Sequence, residues 1–356
     1  MILELAARLD RERFQVTVAC LRNRLDMLRA CRDRGLDVRV LGMSRIWQPG
    51  PVVALARLIR RERIELVHTN LYRDALFGRV LGRLAGARVV STLHSRYFDR
   101  PGWELALDRV TARLADRVIA VSGAVRDFAV EREKISAAKI TVLHNGVETA
   151  LYRRDDSVRK AFRRRLGLAP DELAIGTLGS LSPEKGQRFL LAAAPEVLGE
   201  CHRARFIFSG EGPERARLLA QAGQAGLGDR ALFPGFEEDV AGILSALDVF
   251  VLPSLQEGGP VALMEAMAAG LPSVVSAIPG CLEIAGKEDT ALAFAPGDPV
   301  DLADKLKSLL ADPGLRQRLG ESAARRAREN FELDDMVRKY EKIYDEMTHK
   351  NRARSR

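Results

Sequence analysis

Glu257 and Glu265 stand eight residues apart, separated by Gly258-Gly259-Pro260 and a run of strong helix formers, VALM. Proline is favoured in the first turn of a helix, where its missing N–H leaves no bond unmade, and glycine keeps side chains away from the neighbouring amides. A helix N-terminus carries about half a positive charge and unpaired N–H groups, which suits a phosphate or diphosphate. Carboxylates accept hydrogen bonds from vicinal hydroxyls and repel phosphate oxygens, so they belong on the flanks of such an anion. Eight helical residues span about 12 Å at ~1.5 Å each, roughly the length of a sugar–diphosphate–ribose. The stretch predicts a diphosphate at the helix mouth, with one carboxylate toward a sugar and the other toward a ribose. The plain alternative makes Glu257 a helix-start carboxylate and Glu265 a surface residue. Against it, Glu265 lies in the apolar segment 262–269, where a carboxylate needs a partner.

Three more glycine turns follow apolar runs in the same half of the chain. GSLSPEKG (179–186) departs from the phosphate-binding GxxxxGK[ST] pattern because Lys185 precedes Gly186. A lysine at a first helical turn still clamps a phosphate as a point charge. SGEGPER (209–215) brings Gly210, Glu211 and Gly212 ahead of Pro213, and PGFEEDV (234–240) repeats the arrangement. Each signal is weak alone, and their coincidence after successive strands carries more weight.

The elements that must position these turns are short, branched, apolar runs alternating with helical patterns. Strands are expected at 15–21, 37–42, 66–69, 88–93, 118–121 and 140–143. After a basic stretch at 152–165 come 174–178, 205–209, 231–233, 249–252, 273–276 and 291–294. Helices are expected at 52–62, 72–85, 103–115, 186–198, 213–225, 260–269 and 300–311, and 302–347 is almost wholly helical. Alternation of this kind is α/β, with parallel sheets covered on both faces, and ligands sit at the carboxyl ends of the strands. The expected domains are 1–150, an acceptor-side domain, and 151–330, a donor domain, with a C-terminal helix and basic tail at 331–356.

The 356 residues are 47% hydrophobic and 29% charged, as in a globular protein of two domains. No apolar run approaches the ~18 residues of a membrane-spanning helix. Cys20, Cys31, Cys201 and Cys281 form no CxxC pair, which fits a reducing cytoplasm. Residues 1–166 hold 34 Lys+Arg against 19 Asp+Glu, a net +15, and residues 167–356 hold 22 against 29, a net −7. The basic half points to an anionic partner, read as a membrane surface. The basic residues show no interleaved aromatics and no zinc-finger spacing, so nucleic acid is not expected.

Together these stretches resemble a known family. PSLQEGGPVALMEAMAAGLPSVVS is similar to the signature of retaining glycosyltransferases of family 4 (group 1), which have the GT-B fold of two Rossmann-like, doubly wound domains facing a cleft. GSLSPEKG resembles that family's Gly-Arg-Leu-x-x-x-Lys-Gly motif and SGEGPER its Gly-x-Gly-Pro turn. TVLHNGVE (141–148) resembles the segment that closes the acceptor domain, and STLHS (91–95) the strand end that presents a histidine. The resemblance implies that Lys185 holds the donor diphosphate and that Glu257 contacts the transferred sugar. It places Gly258 and Gly259 on sugar and phosphate, and Glu265 on the ribose hydroxyls. Ser180, Gly210 and Glu211 fall in the donor motifs, His94 lines the reacting centre near the sugar's C6 side, and His68 and Asn145 face the acceptor side.

Two departures stand out. Ser180 occupies the position of the family's arginine. The chain also opens on a helix pattern, MILELAARLDRERF, where the family has a strand and a Gly-Gly loop first, so a further strand is expected at the centre of the first sheet.

The resulting expectation is sugar transfer from a nucleotide diphosphate sugar to a saccharide or lipid-linked acceptor, with retained configuration and front-face attack. The enzyme would be cytoplasmic and peripheral at the inner membrane face. No Asp-x-Asp occurs in the chain, so neither a metal nor another cofactor is expected. Competing readings are a degenerate nucleotide-sugar-binding protein and a nucleotide-sugar epimerase of similar fold. A Rossmann oxidoreductase is disfavoured because no GxGxxG opens either domain.

Overall fold

The structure is a computed structural model, and it describes residues 1–22, 25–45, 48–70, 72–94, 102–286 and 289–352. The strands are β1 Thr17–Cys20, β2 Asp37–Val40, β3 Leu66–Asn70, β4 Arg88–Leu93, β5 Arg117–Ala120, β6 Ile140–Val142, β7 Leu173–Leu178, β8 Ala204–Ser209, β9 Ala231–Gly235, β10 Val249–Leu252, β11 Ser273–Ser276 and β12 Leu292–Phe294. The helices are α1 Ile2–Arg8, α2 Leu25–Asp33, α3 Pro49–Arg61, α4 Tyr72–Leu84, α5 Gly102–Ala112, α6 Gly123–Glu131, α7 Asp156–Arg165, α8 Gln187–Glu200, α9 Arg215–Gln224, α10 Val240–Ala246, α11 Val261–Ala268, α12 Pro279–Ala285, α13 Pro299–Ala311, α14 Pro313–Asn330 and α15 Leu333–Arg352. Each strand and helix expected at a numbered range is present, with ends shifted by up to three residues. Caps fix several starts: Asp155 accepts from the amides of Ser157 and Val158 at α7, and Ser122 from Val125 at α6.

The chain forms two compact units, residues 146–333 and residues 1–145 with 334–356. In the unit 146–333 all strands are parallel, in the order β12-β11-β10-β7-β8-β9. Alternate residues of one strand serve opposite faces. Ile175, Phe206, Val251 and Val274 bury with α8 and α13, while Ala174, Ile207, Phe250 and Val275 bury with α10, α11 and α12. Complete burial of such side chains contributes about 1.5–3 kcal/mol each, so both sheet faces are heavily stabilised. Connections run one way from β7 through β8 to β9 and the other way from β10 through β11 to β12. The strand order therefore reverses between β7 and β10, and the loops leaving those two strands open a crevice there.

The other unit has smaller cores. Its strands are also parallel, but they form two sheets, β1-β2 and β3-β4-β5-β6. A cavity of about 1310 Å³ is lined by residues 17–20 of β1 and by Leu66, His68 and Asn70 of β3. Arg79 of α4 is buried completely behind β4, where Nη1 donates to Asp108 Oδ1 at 2.5 Å and Nε to Ser91 Oγ at 2.9 Å.

One domain boundary needs correction. Residues 334–356 do not form a separate segment; they belong to the unit that holds residues 1–145. Tyr340 and Tyr344 of α15 are buried there. The Tyr344 hydroxyl meets His68 Nδ1 at 2.6 Å, that of Tyr340 meets Thr92 Oγ1 at 3.3 Å, and Glu341 Oε1 accepts from the amide of Asp10 at 2.9 Å. Two buried aromatics four residues apart make one helix face, and that face seals against β3 and β4.

Candidate active site

The donor-side residues assemble where β7 and β10 diverge. After β7 the chain turns through Pro183–Lys185 into α8, with Gly186 at φ +67°. A Cβ on Gly186 would stand 2.0 Å from the Pro253 carbonyl oxygen, so the loops leaving β7 and β10 touch backbone to backbone. The Leu255 amide donates to the Glu184 carbonyl at 2.8 Å and locks the pair. Lys185 Nζ then lies 2.7 Å from Glu257 Oε1, which also accepts from Ser254 Oγ at 2.8 Å. Glu257 is 9% exposed and Lys185 31%, so the carboxylate is packed and the lysine side chain is partly open to solvent.

The turn after β8 joins from the other side. Gly210, at φ +143°, presses against the Gly179 carbonyl, leaving 1.9 Å for any Cβ. The Leu181 amide donates to the Glu211 carbonyl at 3.0 Å, and the Glu214 amide to the Leu181 carbonyl at 2.9 Å. Glu211 thus contributes backbone here, and its exposed carboxylate lies 3.4 Å from Arg215. Ser180 is exposed, and its carbonyl accepts from Gln187 Nε2 at 2.9 Å. With serine at this position, the cations at this turn are Lys185 and Arg188, whose Nη1 donates to the Pro183 carbonyl at 2.8 Å.

Helix α11 starts at Val261, one residue later than expected, with Pro260 as its N-cap. Gly258 is buried and Gly259 is hydrogen-bonded within the chain. Glu265 is the fifth helical residue, and its Oε1 accepts from the Tyr152 hydroxyl at 2.9 Å. Tyr152 is a site residue that the sequence reading missed, since nothing at position 152 marks a partner 113 residues away. Burial pushes the Glu265 carboxyl above the usual carboxylate range, against the opposing pull of the Tyr152 hydrogen bond. The folded state then holds this proton more tightly than the unfolded chain does. Stability is complete below the unfolded value and falls as pH rises through the raised one. Glu265→Gln, which keeps an acceptor for Tyr152, is expected to raise the melting temperature at pH 8 and leave it unchanged at pH 4. Thermal melts across pH check this, and destabilisation at both pH values would contradict it.

In the other unit, His94 follows β4 directly and Asn70 ends β3. His94 Nε2 and Asn70 Oδ1 are 2.9 Å apart. A carbonyl oxygen only accepts, so this pairing puts the ring proton on Nε2. Burial lowers the His94 pKa to about 4, leaving a neutral imidazole at neutral pH. Asn70 was not anticipated; its signal is a polar residue at a strand's carboxyl end, two before a helix. His68 has both ring nitrogens engaged, Nδ1 with Tyr344 and Nε2 with Thr92 Oγ1 at 2.7 Å, so it ties α15 to the sheet. Asn145 is buried and bonded within the chain. Lys185 and Glu257 are thus brought into contact, whereas Glu265 has a separate partner.

Comparison with known proteins identifies this arrangement. The family described as Glycosyl transferases group 1 matches residues 158–326, and Glycosyltransferase Family 4 matches residues 1–151. A 2-deoxystreptamine N-acetyl-D-glucosaminyltransferase from Streptomyces fradiae is 30% identical over 325 residues, covering 83% of this chain and 77% of the relative. The chain belongs to glycosyltransferase family 4. A second relative of this glycosyltransferase, the UDP-Gal:alpha-D-GlcNAc-diphosphoundecaprenol alpha-1,3-galactosyltransferase of Escherichia coli, is 30% identical over 240 residues, covering 64% of this chain and 62% of the relative. Among solved structures, HepE of Anabaena in complex with UDP-glucose superposes with a TM-score of 0.87 at 21% identity, covering 97% of this chain and 94% of the other. The expected α/β, GT-B architecture is therefore the fold of this glycosyltransferase, and Lys185, Glu257 and Glu265 lie within the matched group 1 region.

Proposed function

We propose that this glycosyltransferase takes a sugar from a nucleotide diphosphate sugar and transfers it, with retention, to a saccharide or lipid-linked acceptor. The observation that carries the reading is the Lys185–Glu257 contact at the strand-order reversal, where backbone-tight turns converge. An ammonium has three donors. One holds Glu257, and the others are left to meet the leaving diphosphate beside the start of α11. In this scheme Lys185 and the helix end stabilise the charge that develops as the glycosidic bond breaks. Glu257 receives hydroxyls of the transferred sugar and Glu265 those of the ribose. Ser180, Gly210, Glu211, Gly258 and Gly259 shape the pocket with backbone. His94, neutral and oriented by Asn70, offers a hydrogen bond to a sugar hydroxyl, and His68 and Asn145 support the acceptor side. No side chain is assigned as a nucleophile; the acceptor hydroxyl attacks from the face the leaving group vacates.

The bound UDP-glucose named for HepE and the lipid diphosphate named for the Escherichia coli relative support a nucleotide donor and a lipid-linked acceptor here. Among the described residues no helix is long and apolar enough to cross a membrane. We place the protein in the cytoplasm, peripheral at an anionic inner membrane face. The lack of an Asp-x-Asp supports transfer without a metal. Incubation with UDP-sugars and a polyprenyl-diphosphate sugar tests the reading. The expected product keeps the donor's anomeric configuration by NMR, and its formation is unchanged by excess chelator. Inverted product overturns the retaining assignment, and chelator-sensitive transfer overturns the metal-free one.

A further inference from the structure

Glu265 is held by a neutral partner, the Tyr152 hydroxyl, whereas Glu257 is held by Lys185 and Ser254. Tyr152 ends a 3-10 turn, Thr149–Tyr152, that the chain fixes from outside. Ahead of the turn, the Val147 amide donates to the Phe331 carbonyl at 2.8 Å, and the Leu333 amide donates to the Val147 carbonyl at 3.0 Å. Thr149 Oγ1 donates to the Glu332 carboxylate. The turn packs against both α10 and α11, and the Tyr152 ring lies against the core that holds Leu263, Met264 and Met267. Backbone bonds and ring packing therefore place the hydroxyl, whatever Glu265 does.

The carboxylate has no such support of its own. The last torsion of a glutamate is broad, so an unanchored carboxylate turns about it with little resistance. Tyr152 takes Oε1 and stops that rotation. Glu265 is half-buried, and among the described residues Oε2 has no hydrogen-bond partner, yet this oxygen is not sealed from solvent. One oxygen is thus pinned and the other presented. Burial raises the carboxyl's pKa and the same hydrogen bond pulls it back. The bond so supports the ionised form, which is the stronger acceptor for a hydroxyl.

We propose that Tyr152 is a positioning residue for the donor nucleotide: by pinning Oε1 it aims Oε2 of Glu265 at the ribose, and so sets this enzyme's preference for a ribonucleotide over its deoxy counterpart. This role rests on the reading that Glu265 receives the ribose hydroxyls, and it adds the group that holds the carboxylate in place. Tyr152 touches no reacting atom in this scheme. Its hydroxyl should matter for capturing the donor and not for the chemical step that follows.

The test is calorimetry of the full chain with UDP and with dideoxy-UDP, which lacks both ribose hydroxyls, in the wild type and in Tyr152→Phe. The variant keeps the ring and its packing and removes only the hydroxyl. Wild type is expected to bind UDP at least about ten-fold more tightly than dideoxy-UDP, as hydrogen bonds to a charged group allow. Tyr152→Phe should weaken UDP about ten-fold and leave dideoxy-UDP unchanged, so that the preference collapses. Initial rates should show the KM for the nucleotide sugar raised about ten-fold at unchanged kcat. In a Glu265→Ala background, Tyr152→Phe should weaken UDP no further, because it acts only through that carboxylate. Equal weakening of both nucleotides would mark a role in shape alone and overturns the proposal. Unchanged UDP affinity in Tyr152→Phe, a fall in kcat at unchanged KM, or a further loss in the Glu265→Ala background also overturns it. Each of those results leaves the donor reading standing. Wild-type enzyme that binds the two nucleotides alike removes the ribose role of Glu265 and this role with it, and wild-type enzyme that binds neither removes the donor reading as a whole.

Discussion

Lys185→Ala is expected to lower kcat/KM for the nucleotide sugar about 10²- to 10³-fold, the usual loss on removing one preorganised group that stabilises transition-state charge. The fold should be unaffected. Lys185 is 31% exposed, and a partly exposed ion pair such as Lys185–Glu257 contributes at most about 1 kcal/mol to stability. The same variant leaves Glu257 packed and without its cation, so UDP binding should weaken as well, because an unneutralised carboxylate then faces the diphosphate. Glu257→Gln separates the two roles. It frees Lys185 while removing the acceptor for sugar hydroxyls, so UDP binding should hold while transfer falls. Calorimetry with UDP beside initial rates decides between them. A Lys185→Ala enzyme with unchanged kcat/KM would remove Lys185 from the mechanism. Loss of UDP binding equal to that of Lys185→Ala in Glu257→Gln would show that Glu257 only positions the lysine.

Much of this site was legible in the sequence, for a physical reason. In a parallel sheet each strand is an unbroken apolar run, and the loop after its carboxyl end must be polar and tightly turned. Leu173–Leu178 followed by GSLSPEKG, and Val249–Leu252 followed by PSLQEGGP, announce both strand and loop locally. What no local pattern states is strand order. The contact of Lys185 with Glu257 depends on β7 lying beside β10, which are separated by β8 and β9 in the chain. The coincidence of glycine turns at strand ends pointed to one crevice, and the resemblance to a family gave Lys185 and Glu257 their roles in it.

The residues missed share that character. Tyr152 sits in a short 3-10 turn and reaches Glu265 across the fold; an isolated tyrosine in a basic stretch carries no signal for that partner. Tyr340 and Tyr344 mark a buried helix face, but spacing alone does not say which unit the face covers, so the C-terminal segment was read as separate. His68 illustrates the converse. A histidine on a strand before a polar turn reads as a site residue, yet both its nitrogens are used to hold α15. Burial beside hydroxyl groups, with a pKa lowered to about 3, keeps that ring neutral.

Gly186→Ala is expected to be among the most damaging single changes in the unit 146–333. At φ +67° an L-residue costs roughly 1–2 kcal/mol over glycine. The new Cβ would also lie 2.0 Å from the Pro253 carbonyl, where backbone must move; forcing a group into a packed site costs about 1–3 kcal/mol more. Together about 2–5 kcal/mol corresponds to a fall of roughly 5–15 °C in the melting temperature of a unit this size. The displaced strand of backbone is the one that carries Ser254 and Glu257 on one side and Lys185 on the other, so UDP affinity should fall in step. Gly167→Ala supplies the control. Gly167 has the same φ of +67° but nothing within 4 Å of its Cβ position. It should show the backbone cost alone, roughly 2–6 °C, with UDP binding intact. Equal losses at the two glycines would mean that the Pro253 contact is soft. The loops after β7 and β10 would then not be held in the rigid register on which the Lys185–Glu257 geometry depends.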